Sequence, residues 1–107
     1  MRPQSLPDLG RIGMKLLGLN VLSAFAKAHP DAEPSLSAWQ AEVERATWKH
    51  GAELKGLYPS ASFVGRDNVI FNIRGNNYRL HARVSFATQV VIVVQIGTHK
   101  EYEGWKY

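Results

Sequence analysis

Apolar residues recur at helical spacing through the first half of the chain and at every second position through much of the second half. The change of period comes near Pro59, and it predicts helices followed by strands. From Val69 to Tyr102 three extended segments follow one another. Around Arg74-Gly75-Asn76-Asn77 the alternation is clearest, and in the segment after it Tyr78, Leu80, Ala82, Val84 and Phe86 fall on one face. Arg79, His81, Arg83 and Ser85 fall on the other, because successive side chains of a strand point to opposite sides of the sheet. Burying the apolar face therefore projects two guanidinium groups and an imidazole in one row.

The remaining elements follow in order. Residues 1–13 hold two prolines and two glycines with little periodicity, which predicts a disordered leader or a non-native start before Met14. Met14 to Leu19 reads as a short buried strand. Asn20 is the expected N-cap of a helix carrying Leu22, Phe25 and Ala26 and stopped at His29-Pro30. A second helix is expected from about Asp31 to Pro34 onward, with Leu36, Trp39, Val43 and Ala46 as its stripe, and it should pair with the first as a hairpin. A short third helix is expected over Ala52 to Leu57. Ala61 to Val64 reads as extended, Gly65-Arg66-Asp67-Asn68 as a turn, and Gly75 or an asparagine should supply the positive φ of the next turn. Val90 to Ile96 is an almost unbroken Val/Ile run, the pattern of a strand buried on both faces. Thr98 can cap a last helical turn. The fold class is α+β: an N-terminal strand and helical hairpin packed on an antiparallel β-meander, with a short C-terminal helical turn, in a single domain over 14–107.

Charge sharpens that picture. Up to Tyr58 there are seven Lys/Arg against six Asp/Glu, and from Pro59 on six against three, so most of the net +4 lies with the strands. A basic sheet points to a polyanionic partner, or simply to a solubilising surface. The chain has no cysteine, which excludes disulfides and thiolate chemistry. No apolar run approaches the roughly 20 residues of a membrane span, and a cytoplasmic location without membrane association is expected. No metal-ligand spacing, P-loop or dinucleotide fingerprint is present, so neither a metal nor a cofactor is expected.

Two constellations can carry chemistry. Alternate residues of one strand sit about 7 Å apart, so Arg79, His81 and Arg83 form a row at that interval whose two arginines can grip a phosphate backbone; the competing reading is a solvated face that protects the sheet. In Thr98-His99-Lys100-Glu101-Tyr102, histidine exchanges protons near neutral pH, lysine neutralises phosphate and tyrosine stacks or donates; the competing reading is a capped turn whose Tyr102 and Trp105 merely pack. Trp39 and Trp48 read as core. His29 and His50 read as helix-end residues, and Asn72, Asn76 and Asn77 as turn and strand-end residues, although Asn72 can donate to phosphate.

The segments Asn20-Val21-Leu22, Ala28-His29-Pro30-Asp31-Ala32, Ala46-Thr47-Trp48-Lys49, Tyr58-Pro59-Ser60-Ala61, Val69-Ile70-Phe71-Asn72-Ile73 with Gly75-Asn76-Asn77-Tyr78-Arg79-Leu80, and Gly97-Thr98-His99-Lys100-Glu101-Tyr102 resemble the HigB-type toxins of bacterial type II toxin-antitoxin systems, within the RelE-like superfamily. The resemblance runs from about Met14 to Trp105. It implies an mRNA endoribonuclease that acts at the ribosome without a metal, by attack of a ribose 2′-hydroxyl on the adjacent phosphate. It also implies silencing by a HigA-like helix-turn-helix antitoxin. Under it Arg79, His99 and Tyr102 are the catalytic candidates, and Arg74, His81, Arg83, Lys100 and Asn72 the RNA-binding ones. The chain departs from the family at Val94, where many relatives carry Arg or Lys. That departure keeps open an attenuated RNA- or ribosome-binding module, and a domain whose main partner is the antitoxin.

Overall fold

A computed structural model describes residues 13–107. The leader expected over 1–13 lies, apart from Gly13, outside the described residues. The elements are β1 (Lys15–Leu17), α1 (Leu19–Ala28), a 3-10 turn (Pro30–Ala32), α2 (Glu33–Arg45), α3 (Gly51–Leu57), β2 (Ser62–Val64), β3 (Asn68–Ile73), β4 (Tyr78–Ser85), β5 (Val90–Thr98) and α4 (His99–Tyr102). They build one five-stranded sheet in the order β1-β5-β4-β3-β2. Strands β2 to β5 form the expected antiparallel meander, and β1 joins it parallel to β5, with Leu17 opposite Ile92.

The core lies between the sheet and the helices. Leu22 of α1 and Leu36, Trp39 and Val43 of α2 are buried against Phe71, Leu80, Ala82, Val84 and Val91. Aromatic edges lock this layer: Trp39 meets Phe71 at 5.3 Å and Tyr58 meets Phe71 at 5.1 Å, both nearly perpendicular, the geometry that ring quadrupoles favour. Trp48 is buried beside Tyr58, as expected for a packing residue. Burial and the Glu42 carboxylate, which accepts from the Tyr58 hydroxyl, push that phenol well above its ordinary range. Tyr78 ties the meander to the helices. Its hydroxyl donates to the Asp31 carboxylate at 2.8 Å, and that bond raises its pKa.

Several boundaries differ from the sequence reading. Helix α1 is entered through Gly18 at φ 86°, not capped by Asn20. A side chain at Gly18 would meet the Val93 carbonyl at 2.5 Å, so both backbone shape and the close approach of β5 require glycine there. Helix α2 ends at Arg45, leaving Ala46 as its C-cap, and His50 precedes α3 instead of finishing a helix. His29 follows α1, but its ring stacks on Phe25 at 4.3 Å. The positive φ of the β3–β4 turn falls on Arg74 and Gly75, and neither Asn76 nor Asn77 adopts it.

The largest correction concerns β5. Val91 and Val93 are buried, but Ile92 and Val94 are each 41% exposed. An unbroken Val/Ile run had implied cover on both faces; the helices cover only one. Strand β5 thus lies inside the sheet with an apolar outer face.

Candidate functional site

The pleat sends Arg79, His81 and Arg83 of β4 to the outer face, away from the core residues Leu80, Ala82 and Val84. Their cross-strand partners on that face are Asn72, Ile70 and Asn68 of β3 and Gly97, Gln95 and Ile92 of β5. A register shift between His81 and Ala82 leaves Val94 without a Cα partner on β4, so that it stands out of the ladder beside Gln95.

At one end of this face Arg79 meets the helical turn that follows β5. Thr98 and Glu101 close a capping box, Thr98 accepting from the Glu101 N–H at 3.2 Å and Glu101 accepting from the Thr98 N–H at 2.7 Å. The box fixes α4 against the strand end, and Tyr102 then lies under the Arg79 guanidinium, 5.3 Å from ring centroid to Cζ. His99 stands 6.1 Å from the same ring and pairs with Glu103 at 3.4 Å. Arg79 Nη1 donates to the Asn76 and Tyr78 carbonyls at 2.8 and 3.3 Å, which holds the group against the β3–β4 turn and leaves other guanidinium donors unspent. Arg79, Tyr102 and His99 are therefore brought together, with Asn72 across the strand from Arg79 and the exposed Lys100 on the same short helix.

The rest of the expected row behaves differently. His81 is only 4% exposed. One ring nitrogen, Nε2, lies 2.8 Å from Asn68 Oδ1, and the other, Nδ1, lies 3.0 Å from Gln95 Nε2. An amide oxygen can only accept, so Nε2 carries the proton and Nδ1 accepts from Gln95, which is the neutral tautomer. Burial, and secondarily the nearby Arg83 charge, hold its pKa below the ordinary value. The ring expected in the open is thus a buried structural imidazole, covered by Trp105 at 6.2 Å and Tyr107 at 5.1 Å. Arg83 is exposed at the far end, 3.6 Å from Asp67, beside a shallow cavity of about 290 Å³ reaching Ser85, Thr88 and Ile92. Arg74 is set apart: it pairs with Asp31 at 3.5 Å, on the side where Tyr78 meets the helices.

The sequence reading missed Asn68 and Gln95 as the partners of His81, and Tyr107 as its cover. Cross-strand register would have found the first two; the third depends on a chain segment folding back. Among the described residues no group of three or more His, Asp or Glu side chains could hold a metal ion. Nor is any of their helices long and apolar enough to cross a membrane.

The sequence profile of a family described as HigB toxin, RelE-like toxic component of a toxin-antitoxin system, matches residues 32–105. That span includes Asn72, Arg79, His99 and Tyr102 and stops short of Tyr107. The mRNA interferase toxin HigB of Escherichia coli (strain K12) is 30% identical over 92 residues, covering 84% of this chain and 88% of the relative. The mRNA interferase HigB proteins of Escherichia coli O157:H7 and Shigella flexneri match to the same extent. On the profile match and the identity together, the chain belongs to the HigB family of RelE-like toxins.

Proposed function

We propose that this protein is the toxin of a type II toxin-antitoxin module and an endoribonuclease that cleaves mRNA on the ribosome in the cytoplasm, held inactive by a HigA-like helix-turn-helix antitoxin. The observation that carries the reading is the contact of one ring, Tyr102, with both the Arg79 guanidinium and the His99 imidazole. A cation, a proton carrier and an aromatic hydroxyl then converge beside an open basic face, in a family whose relatives are mRNA interferases.

The chemistry that this set can perform is transesterification within RNA. The ribose 2′-oxygen attacks the adjacent phosphorus in line and gives its proton to a base. The bond from phosphorus to the 5′-oxygen breaks, and that oxygen takes a proton from an acid. The products are a 2′,3′-cyclic phosphate and a free 5′-hydroxyl. His99 is the proton carrier in this scheme, Arg79 holds the non-bridging oxygens as they gain charge, and Tyr102 orients Arg79 and presents its hydroxyl to the linkage. Lys100, Asn72 and Arg83 supply further contacts to the strand, with Arg74 and His81 outside direct contact. No step requires a metal ion.

Val94 favours a second reading. A neutral, 41% exposed side chain stands on this face where the family resemblance implies a cation, and a module that binds RNA or the ribosome with weakened cleavage would tolerate it.

Induced expression decides between them. A cleaving toxin arrests growth and leaves cyclic-phosphate ends on mRNA, and His99→Ala relieves the arrest while the protein stays folded. Arrest without new RNA ends supports the binding module, and full toxicity of His99→Ala removes histidine from the mechanism.

A further inference from the structure

We infer that the rings of Trp105 and Tyr107 form a stacking platform for one nucleobase of single-stranded RNA, adjoining the linkage held at Arg79. This deepens the function proposed above and rests on it.

The segment after α4 turns back over the outer face of the sheet, and the sequence makes room for it. Gly97 lies opposite Arg79 on that face, and a Cβ there would come within 3.2 Å of Trp105 Cζ2 and 2.8 Å of the Glu101 carboxylate. Absence of a side chain at Gly97 lets the indole settle against β5, 5.6 Å from Tyr102 and nearly perpendicular to it. Tyr107 stands perpendicular to His81 at 5.1 Å. Aromatic groups therefore run without a break from the ring under Arg79 to the centre of β4.

The floor beneath them is built like a small second core. His81 has both nitrogens engaged, and Ile70, its cross-strand neighbour, is 2% exposed although it belongs to the outer face and stands apart from the main cluster. Such a floor holds the rings in place before any ligand arrives, which lowers the ordering cost of binding. Yet Tyr107 itself remains 52% exposed. Burial and the neighbouring Tyr102 raise its pKa, so its hydroxyl stays neutral and presents no charge to a phosphate.

What fits a half-open aromatic platform rimmed by Arg79, Arg83 and the exposed Lys106 is a chain of flat rings on an anionic backbone. Single-stranded RNA is such a chain, and every base offers a π-face, so stacking here adds affinity with little sequence preference. The aromatic run starts beside the phosphate clamp, so the base it takes flanks the cleaved linkage.

The test is a cycle between protein and RNA, with the full chain. Cleavage is followed on mRNA programmed into ribosomes and on the same RNA alone, with each nucleotide flanking the cleavage position replaced in turn by an abasic ribose. Tyr107→Ala should raise the half-saturating RNA concentration about tenfold with the maximal rate nearly unchanged, and Tyr107→Phe should restore it to within about twofold. At one flanking position the abasic RNA should lose as much with the wild type, and the two losses should not add. Equal losses for Tyr107→Ala on intact and abasic RNA at every position would mean that the ring only covers His81, and would overturn the platform. So would a Tyr107→Ala protein that saturates like the wild type. Cleavage by the wild type with additive losses removes the platform alone; no binding or cleavage of RNA by the wild type, on or off the ribosome, removes the endoribonuclease and the platform together.

Discussion

The two faces of the sheet differ in what they ask of a side chain. On the inner face Leu80, Ala82, Val84, Phe71 and Val91 are buried under the helices, and volume decides what is tolerated. On the outer face the same strands present Arg79 and Arg83, with His81, Ile70 and Gly97 buried among them, and charge and hydrogen bonding decide. Fixing the inner register of β4 fixes its outer row as well, since side chains alternate along that strand. The stability of the domain and the placing of its candidate chemistry thus come from one alignment but reside in different side chains.

That separation can be broken by substitution. The largest effect belongs to the inner face. Phe71→Ala removes the ring that both Trp39 and Tyr58 abut, and denaturant unfolding should show a loss of about 3–5 kcal/mol. Next comes the junction between sheet and helices. Tyr78→Phe deletes a hydroxyl that donates to the Asp31 carboxylate and should lower the unfolding midpoint, by less than Phe71→Ala does. On the outer face, Val94→Arg adds a cation to an exposed position beside Gln95. RNA cleavage should rise by about tenfold if a missing charge limits transition-state stabilisation, with the unfolding midpoint shifted by no more than about 0.5 kcal/mol.

The smallest effect is a pH dependence. The pKa of His81 is lowered by folding from its ordinary 6.5, so above that pH the ring is neutral in both states and its contribution is complete. As pH falls below about 6.5 the unfolded chain takes up the proton first, and stability drops until the folded value is reached. Thermal unfolding at pH 7.5 and 5.5 should show a larger drop for the wild type than for His81→Gln, which lacks the titrating ring; equal drops would mean that the buried imidazole is not linked to folding.

Much of the fold was legible because burial leaves a periodic trace. The stripe Leu36, Trp39 and Val43 and the alternation around Arg79 and Arg83 both mark which face must leave water, and the structure follows them. The Val90 to Ile96 run was misread because continuous apolar character records affinity for cover, not the presence of cover. Ile92 and Val94 carry it without being covered. Burial of His81 has no periodic signature at all. It depends on Asn68 and Gln95 from neighbouring strands and on Trp105 and Tyr107 folding back, and long-range partners of that kind leave no local pattern. The pairing of Arg74, expected to contact RNA, was illegible for the same reason, since only the assembled fold brings it to Asp31.

The account stands or falls on Arg79, whose guanidinium lies over Tyr102 while its neighbour Leu80 is sealed in the core. The direct measurement takes the rate of RNA cleavage and the unfolding free energy of Arg79→Ala from the same preparation. The rate should fall by about 100-fold or more, while the lost contacts to the Asn76 and Tyr78 carbonyls and to Tyr102 lower stability by no more than about 1.5 kcal/mol. An unchanged rate, or a loss of rate explained entirely by unfolding, would contradict it.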